Sequence, residues 1–222
     1  MSLGIPGYKI SRLRKVAMKN LLLVVSLALC GMVGCTSEPP KPAEKPRPKG
    51  PELVTGRTAF QKVYIAARGW ARDAQPYRLQ SQVTSDSNGR EGTADIWQAS
   101  FASPAQRGVK PYTWSGTDLQ DAPPRGVNPG NEDNYSPTNS TTQVFDMQFL
   151  KVDSDKAFEE AQKHGGDKLL EKSPDTPVFY VVDWSPSTGK LIWHVIYGTN
   201  RDEAKLKVAI DATSGEFLRV EK

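Results

Sequence analysis

Few residues in this 222-residue chain could carry chemistry: two cysteines (Cys30, Cys35), two histidines (His164, His194) and five tryptophans (Trp70, Trp97, Trp114, Trp184, Trp193). The histidines stand 30 positions apart, without the H-E-x-x-H spacing that sets two imidazoles on one helix face around zinc. The chain contains no G-x-S-x-G elbow and no P-loop. Its carboxylates fall at scattered solvent-facing positions, and nothing in their order builds the pair with divergent pKa values that acid–base catalysis needs. His164 closes a helical stretch, where positive charge suits the helix dipole. His194 lies in an apolar strand between Trp193 and Val195 and points away from both. Each reads as a structural histidine, and the chain reads as non-enzymatic, with no cofactor and no metal site.

Cys35 has a different setting. Upstream stand Lys9, Arg12, Arg14, Lys15 and Lys19 with no acid, then an apolar run of 14 residues from Leu21 to Gly34. A membrane-spanning helix needs about 20 residues, so residues 1–34 read as a secretory signal peptide that is removed. Cys30 leaves with it, and Cys35 is then the only cysteine of the mature chain, unable to form an internal disulfide. "MVGC", Met32 to Cys35, resembles the lipobox of bacterial lipoproteins, with Gly34 as the small residue before the cysteine and Met32 standing where leucine is commoner. The resemblance implies cleavage before Cys35 and acylation of it, which would anchor the protein to a membrane of the cell envelope; several acyl chains hold stably where one does not. Thr36 follows, and the lack of Asp there is associated in Gram-negative lipoproteins with the outer membrane, facing the periplasm. "MKNLLLVVSLALCGMVGC", from Met18, is a complete signal of this type by itself, so translation is expected to be able to start there.

The signal also distorts the charge. The whole chain has 29 basic and 25 acidic residues, a net +4, but all five basic residues of the leader depart with it and leave 24 against 25. A chain so balanced offers no basic face for nucleic acid. Residues 35–52 hold the lipidated cysteine and a spacer with Pro39, Pro40, Pro42, Pro46, Pro48 and Pro51 among lysines and glutamates. Proline fixes φ and removes a donor, so this spacer reads as a disordered, extended tether reaching about 50 Å in polyproline II form.

Beyond the spacer, Phe60, Val63, Tyr64, Ala67 and Trp70 recur at helical spacing after Thr55, a candidate cap, and Pro76 lies beyond the end. Strand-like runs follow in "YRLQSQVTS", "TADIWQASFAS" and "VKPYTWS". The same order returns with the helix "VDSDKAFEEAQKHGG", capped by Asp153 or Ser154 and stopped by Gly165, then "PVFYVVDWS", "LIWHVIYG" and "KLKVAID". "TAFQKV" stands against "KAFEEA" and "DIWQASF" against "LIWHVIY". Trp97 precedes Trp114 by 17 residues, and Trp193 precedes Ile210 by 17. This is a tandem α-β-β-β repeat. A unit of about 64 residues, 53–116, buries only a marginal core alone, so the two units, 53–116 and 143–222, are expected to pack together.

The second unit resembles the PepSY domain, a small α+β module of bacterial envelope proteins and peptidase propeptides. The resemblance rests on "DKAFEEA", "LIWHVIY" and the closing "KVAIDATSGEF", with Ile210, Asp211, Thr213, Gly215 and Glu216 in the family's strand, Asp, turn-Gly, strand ending. The first unit departs from it, with "YTWSGTD" in place of that ending. The fold expected is α+β: two PepSY-like units whose antiparallel sheets are packed by helices. The resemblance implies a protein that binds or restrains a peptidase or another envelope protein, by surface complementarity or by adding a strand at a sheet edge.

Between the units, 117–142 reads as one long polar loop, a length that is usually functional or disordered. Its Asn128, Asn131, Glu132, Asp133 and Asn134 offer oxygen ligands of the kind calcium takes, but not at the spacing of a calcium loop, and all are ordinary turn residues. The alternative function is a small-ligand or cell-wall-binding lipoprotein that uses this loop and the aromatic residues, with Tyr135 and Trp184 as candidate binding residues. Against that, Trp97 and Trp193 occupy matched repeat positions, as core anchors do.

Overall fold

The computed structural model describes residues 50–221; Cys35, the apolar leader and the spacer as far as residue 49 lie outside the described residues. In chain order the elements are β1 (Val54–Thr55), α1 (Gly56–Trp70), β2 (Gln75–Ser81), β3 (Thr93–Ala94), β4 (Ile96–Ser103), β5 (Gly108–Ser115), β6 (Gly126–Pro129), β7 (Asp133–Asn134), α2 (Ser154–Ala161), α3 (Asp167–Lys172), β8 (Val178–Ser185), β9 (Lys190–Tyr197), β10 (Leu206–Asp211) and β11 (Phe217–Glu221). The fold is α+β. Nine strands form one sheet in the order β11-β10-β9-β8-β2-β4-β5-β6, with β7 also on β5, and β1 pairs separately with β3. All of the pairings are antiparallel.

The two halves share that sheet through the β2–β8 seam. Trp97 lies opposite Ser81 and Trp193 opposite Val182, so superposing the tryptophans matches Ser81 to Val182 and Gln80 to Val181. Gln80 and Val181 are themselves partners across the seam. An approximate twofold axis therefore passes through that pair. The correspondence extends one strand further than the sequence repeat: β6 lies on β5 as β11 lies on β10.

Side-chain alternation assigns the two faces. The row Tyr112, Ala99, Leu79, Val182, Trp193, Ile210, follows register partners across six strands. It is buried with Ala59, Phe60, Val63 and Ala67 of α1 and Ala157 and Ala161 of α2 in one core. Apolar residues at helical spacing thus bury the inner stripe of each helix, at roughly 25 cal/mol per Å² of apolar area. The indoles of Trp97 and Trp193 meet edge to face, with centroids 6.4 Å apart.

The structure departs from the local sequence expectations in three places. Thr55 makes no cap bond to α1; its hydroxyl meets Thr58 instead. The cap comes from the other half, where Ser154 Oγ accepts from Gly56 N at 2.8 Å and Asp153 Oδ1 from Arg57 N at 2.8 Å. Asp153 also accepts from Ser154 N at 2.7 Å, so one carboxylate serves two helix starts. Gly165, at φ 108°, does break the second helix, but the chain passes through a wide turn and re-enters a helix as α3. The 117–142 segment is not wholly a loop. It contributes β6 and β7 to the sheet, because β5 would otherwise leave its outer backbone groups unpaired. Upstream, Glu52 N donates to Gly116 O at 2.9 Å and Arg125 to Gly50 O at 3.2 Å, so contacts with the folded body already involve residues before Leu53.

The closing hairpin is built by Asp211, whose carboxylate accepts from Thr213 N and Ser214 N at 2.8 and 3.2 Å. Gly215 there takes φ 81°, the left-handed region that glycine enters without steric cost.

Candidate functional site

The sheet face away from the helices carries a different row. Asn128, Thr113, Gln98, Gln80, Val181, His194, Ala209 and Arg219 are successive register partners across eight strands. On the first half the row is an amide and hydroxyl ladder, with Gln80 Nε2 donating to Gln98 Oε1 at 3.3 Å and Gln98 Nε2 to Thr113 Oγ1 at 3.4 Å. On the second half it becomes ionic around His194.

His194 sits between two carboxylates. Its Nδ1 lies 2.7 Å from Glu221 Oε2 and its Nε2 3.2 Å from Asp183 Oδ1. Ala209 stands between His194 and Arg219 on the intervening strand, and its small side chain leaves room for the imidazole to reach β11. Arg219 holds the other oxygen of Glu221 at 2.7 Å. Arg78 and Arg201 approach Asp183 Oδ2 at 3.3 and 3.6 Å. Burial works against the imidazolium, but the hydrogen bonds and charges of Asp183 and Glu221 outweigh it and hold the His194 pKa above its ordinary value. For Asp183, burial is likewise overcome by His194, Arg201 and Arg78, and the pKa is lowered. The hydrogen bond with His194 does most to lower that of Glu221. As an imidazolium, His194 donates to both carboxylates and ties β9 to β8 and β11.

Beside it, at the seam, a cleft of about 430 Å³ is lined by Arg78, Gln80, Phe179, Val181, Asn200 and Arg201 among others. The turn after β9 supplies Asn200 and Arg201, and β2 and β8 supply the floor.

The candidate binding residues do not converge here. Tyr135 is buried, packed with Ala102 and Val109, and its N–H donates to Arg107 O at 2.9 Å; it fastens the β7 segment to the sheet and offers no open ring. Trp184 is half-buried against Phe149, with ring centroids 5.4 Å apart. Trp97, Trp114 and Trp193 are core residues. His164 stacks on Phe217 at 3.6 Å between centroids and meets Glu160 at 3.1 Å. The loop oxygens are dispersed: Glu132 pairs with Lys110 at 3.0 Å and Asn128 Nδ2 donates to Pro124 O at 2.6 Å. Among the described residues no three His, Cys, Asp or Glu side chains gather at a metal position, and no helix is long and apolar enough to cross a membrane.

Asp183, Glu221, Arg78 and Arg201 were not singled out from sequence. The available signal was parity: Asp183 and His194 fall on the strand positions opposite in phase to Val182 and Trp193, hence on the other face. That they meet required the register.

No protein-family model matches the chain, so the PepSY likeness is not carried by a family match. No curated protein matches it either. Among solved structures, a candidate lipoprotein of Clostridium difficile is similar at 11% identity over 73% of this chain and 91% of that one, with a TM-score of 0.49.

Proposed function

We propose that this is a lipid-anchored protein of the cell envelope that acts without catalysis, by binding or restraining a peptidase or another envelope protein through the helix-free face of its sheet. The observation that carries the reading is the polar row across eight strands, on which none of the three α-helices packs. A face that sets amides, hydroxyls and paired charges beside apolar Val181, Ile192 and Ile196 suits a protein partner, whose interface is polar over much of its area. It ends at β11, whose outer edge has no strand partner among the described residues, so strand addition is available there. Anchoring is supported by the lipobox-like "MVGC", and the PepSY reading by the paired helix-and-meander halves. The small-ligand alternative loses most of its aromatic support, because three of the five tryptophans are core.

The test is capture from a solubilised envelope extract with residues 36–222 as bait. A near-stoichiometric envelope protein that is lost with Gln98→Arg, on the helix-free face, and kept with Gln61→Arg, on exposed α1, supports the reading. A bait that stays empty while its controls work, or capture indifferent to Gln98→Arg, counts against it.

A further inference from the structure

We infer that the cleft at the β2–β8 seam binds the terminal carboxylate of a peptide, between Arg78 and Arg201. The inference rests on the reading of the helix-free face as a binding surface and names what that surface recognises.

The first argument is charge. Arg78 and Arg201 both lean on one carboxylate, Asp183, at 3.3 and 3.6 Å, and His194 takes its other oxygen at 3.2 Å. The second carboxylate, Glu221, is held by His194 and Arg219 at 2.7 Å each. Arg78 and Arg201 line the cleft and share the one carboxylate of Asp183, whereas Glu221, His194 and Arg219 pair with one another outside its lining. The second argument is reach: the Arg78 and Arg201 side chains are 37% and 46% exposed, so their guanidinium ends are open to a ligand in the cleft, and a carboxylate, with its two oxygens, fits the planar fork of arginine. The third is the composition of the walls. Gln80 offers a carboxamide, and Phe179 and Val181 an apolar surface, which together suit a peptide end with a small side chain better than a bare inorganic anion; Asn200 is held in its own turn by Glu203 and by Asp202 N and Glu203 N. A larger cleft, about 530 Å³ between 172–177 and 198–205, has Lys172 and Lys205 balanced by Asp175 and Glu203, and one of about 460 Å³ mixes Arg57 and three lysines with Asp153, Glu159 and Glu160; neither sets two arginines over a single carboxylate.

The probe is N-acetyl-dialanine, titrated into the detergent-solubilised full chain and read by the amide chemical shifts of Val181 and Asn200. Its C-terminal amide and inorganic phosphate serve as comparisons. The free acid is expected to bind with saturable shifts at these residues, and the amide about tenfold or more weakly, since charge-assisted bonds to the carboxylate are lost. Arg201→Gln, in a surface turn, should weaken the free acid by a similar factor without disturbing the fold, and Arg78→Gln should do the same where it folds. Absence of saturable shifts, or equal binding of acid and amide, overturns the inference; phosphate binding as tightly as the free acid overturns its peptide part. The titration needs no partner protein, so its failure and an empty pull-down are separate results.

Discussion

Trp97 and Trp193 make the same hydrogen bond in the two halves of the molecule. Each donates its indole N–H over 3.0 Å to a carbonyl two residues before a helix begins, Val54 ahead of α1 and Val152 ahead of α2. Each therefore ties the middle strand of its meander to the start of the helix that covers it. Because the two rings also meet edge to face, both helix starts converge on one point of the core. Gly56 lies at that point. A Cβ there would stand 2.8 Å from Trp193 and 3.1 Å from Trp97 ring atoms.

Gly56→Ala should accordingly destabilise the fold. Alanine favours a helix interior over glycine by about 1 kcal/mol, but overpacking a full core costs roughly 1–3 kcal/mol. At a helix start the propensity gain is smaller, so the clash should win. Urea denaturation reads this as a lower midpoint at unchanged slope; an unchanged or raised midpoint would show that the two rings can yield.

Asp153→Ala should cost more than an ordinary cap. One capping side chain is worth about 1 kcal/mol, and Asp153 accepts from the starts of both α1 and α2. A loss near 2 kcal/mol is expected, against less than about 0.5 kcal/mol for Thr55→Ala, which removes no cap bond. Equal losses for the two variants would mean that α1 is capped locally after all.

The His194 network predicts a pH dependence on each side of neutrality. The His194 pKa is raised in the folded state, so the stability it contributes is fully present below its unfolded value, about 6.5, and is lost as pH rises through the folded value. Asp183 and Glu221 are lowered, so theirs is present above the unfolded carboxylate values and lost as pH falls through the folded ones. Denaturation midpoints should therefore decline as pH rises above about 6.5, and His194→Gln should abolish that decline. A wild-type profile flat from pH 6 to 9 would remove the network from the stability of the fold.

Cys35→Ser should move the protein from the membrane fraction to the soluble fraction and end incorporation of labelled fatty acid, while Cys30→Ser leaves both unchanged. A Cys35→Ser protein that remains in the membrane fraction would count against lipid anchoring at this residue.

Much of the fold was legible because its elements carry local signals. Helical spacing at Phe60, Val63 and Ala67, and alternation at Val208 and Ile210, report burial on one face, and burial is what those elements do. The matched tryptophans could be read as core for the same reason: two large aromatics at equivalent repeat positions must find equivalent apolar surroundings. The site was less legible. Tyr135, a candidate binding residue by sequence, is buried because a ring beside Ala102 and Val109 gains more from burial than from water. Trp184, the other candidate, is half-buried because Phe149, 35 residues earlier, packs against it.

The sequence by itself determined the α+β class, the order of the first helix and the three long strands in each half, and the expectation of an acylated cysteine behind a proline-rich spacer, since all of these depend on residues close together in the chain. Only the tertiary structure decided that the halves join by their first strands, that Asp153 caps α1 at Arg57 N, 96 residues away, and that His194 lies between Asp183 and Glu221. The reason is that pairing register and loop closure are set by the packing of the whole core. A shift of one residue at the β2–β8 seam would turn every side chain of a strand to the other face and leave no such network.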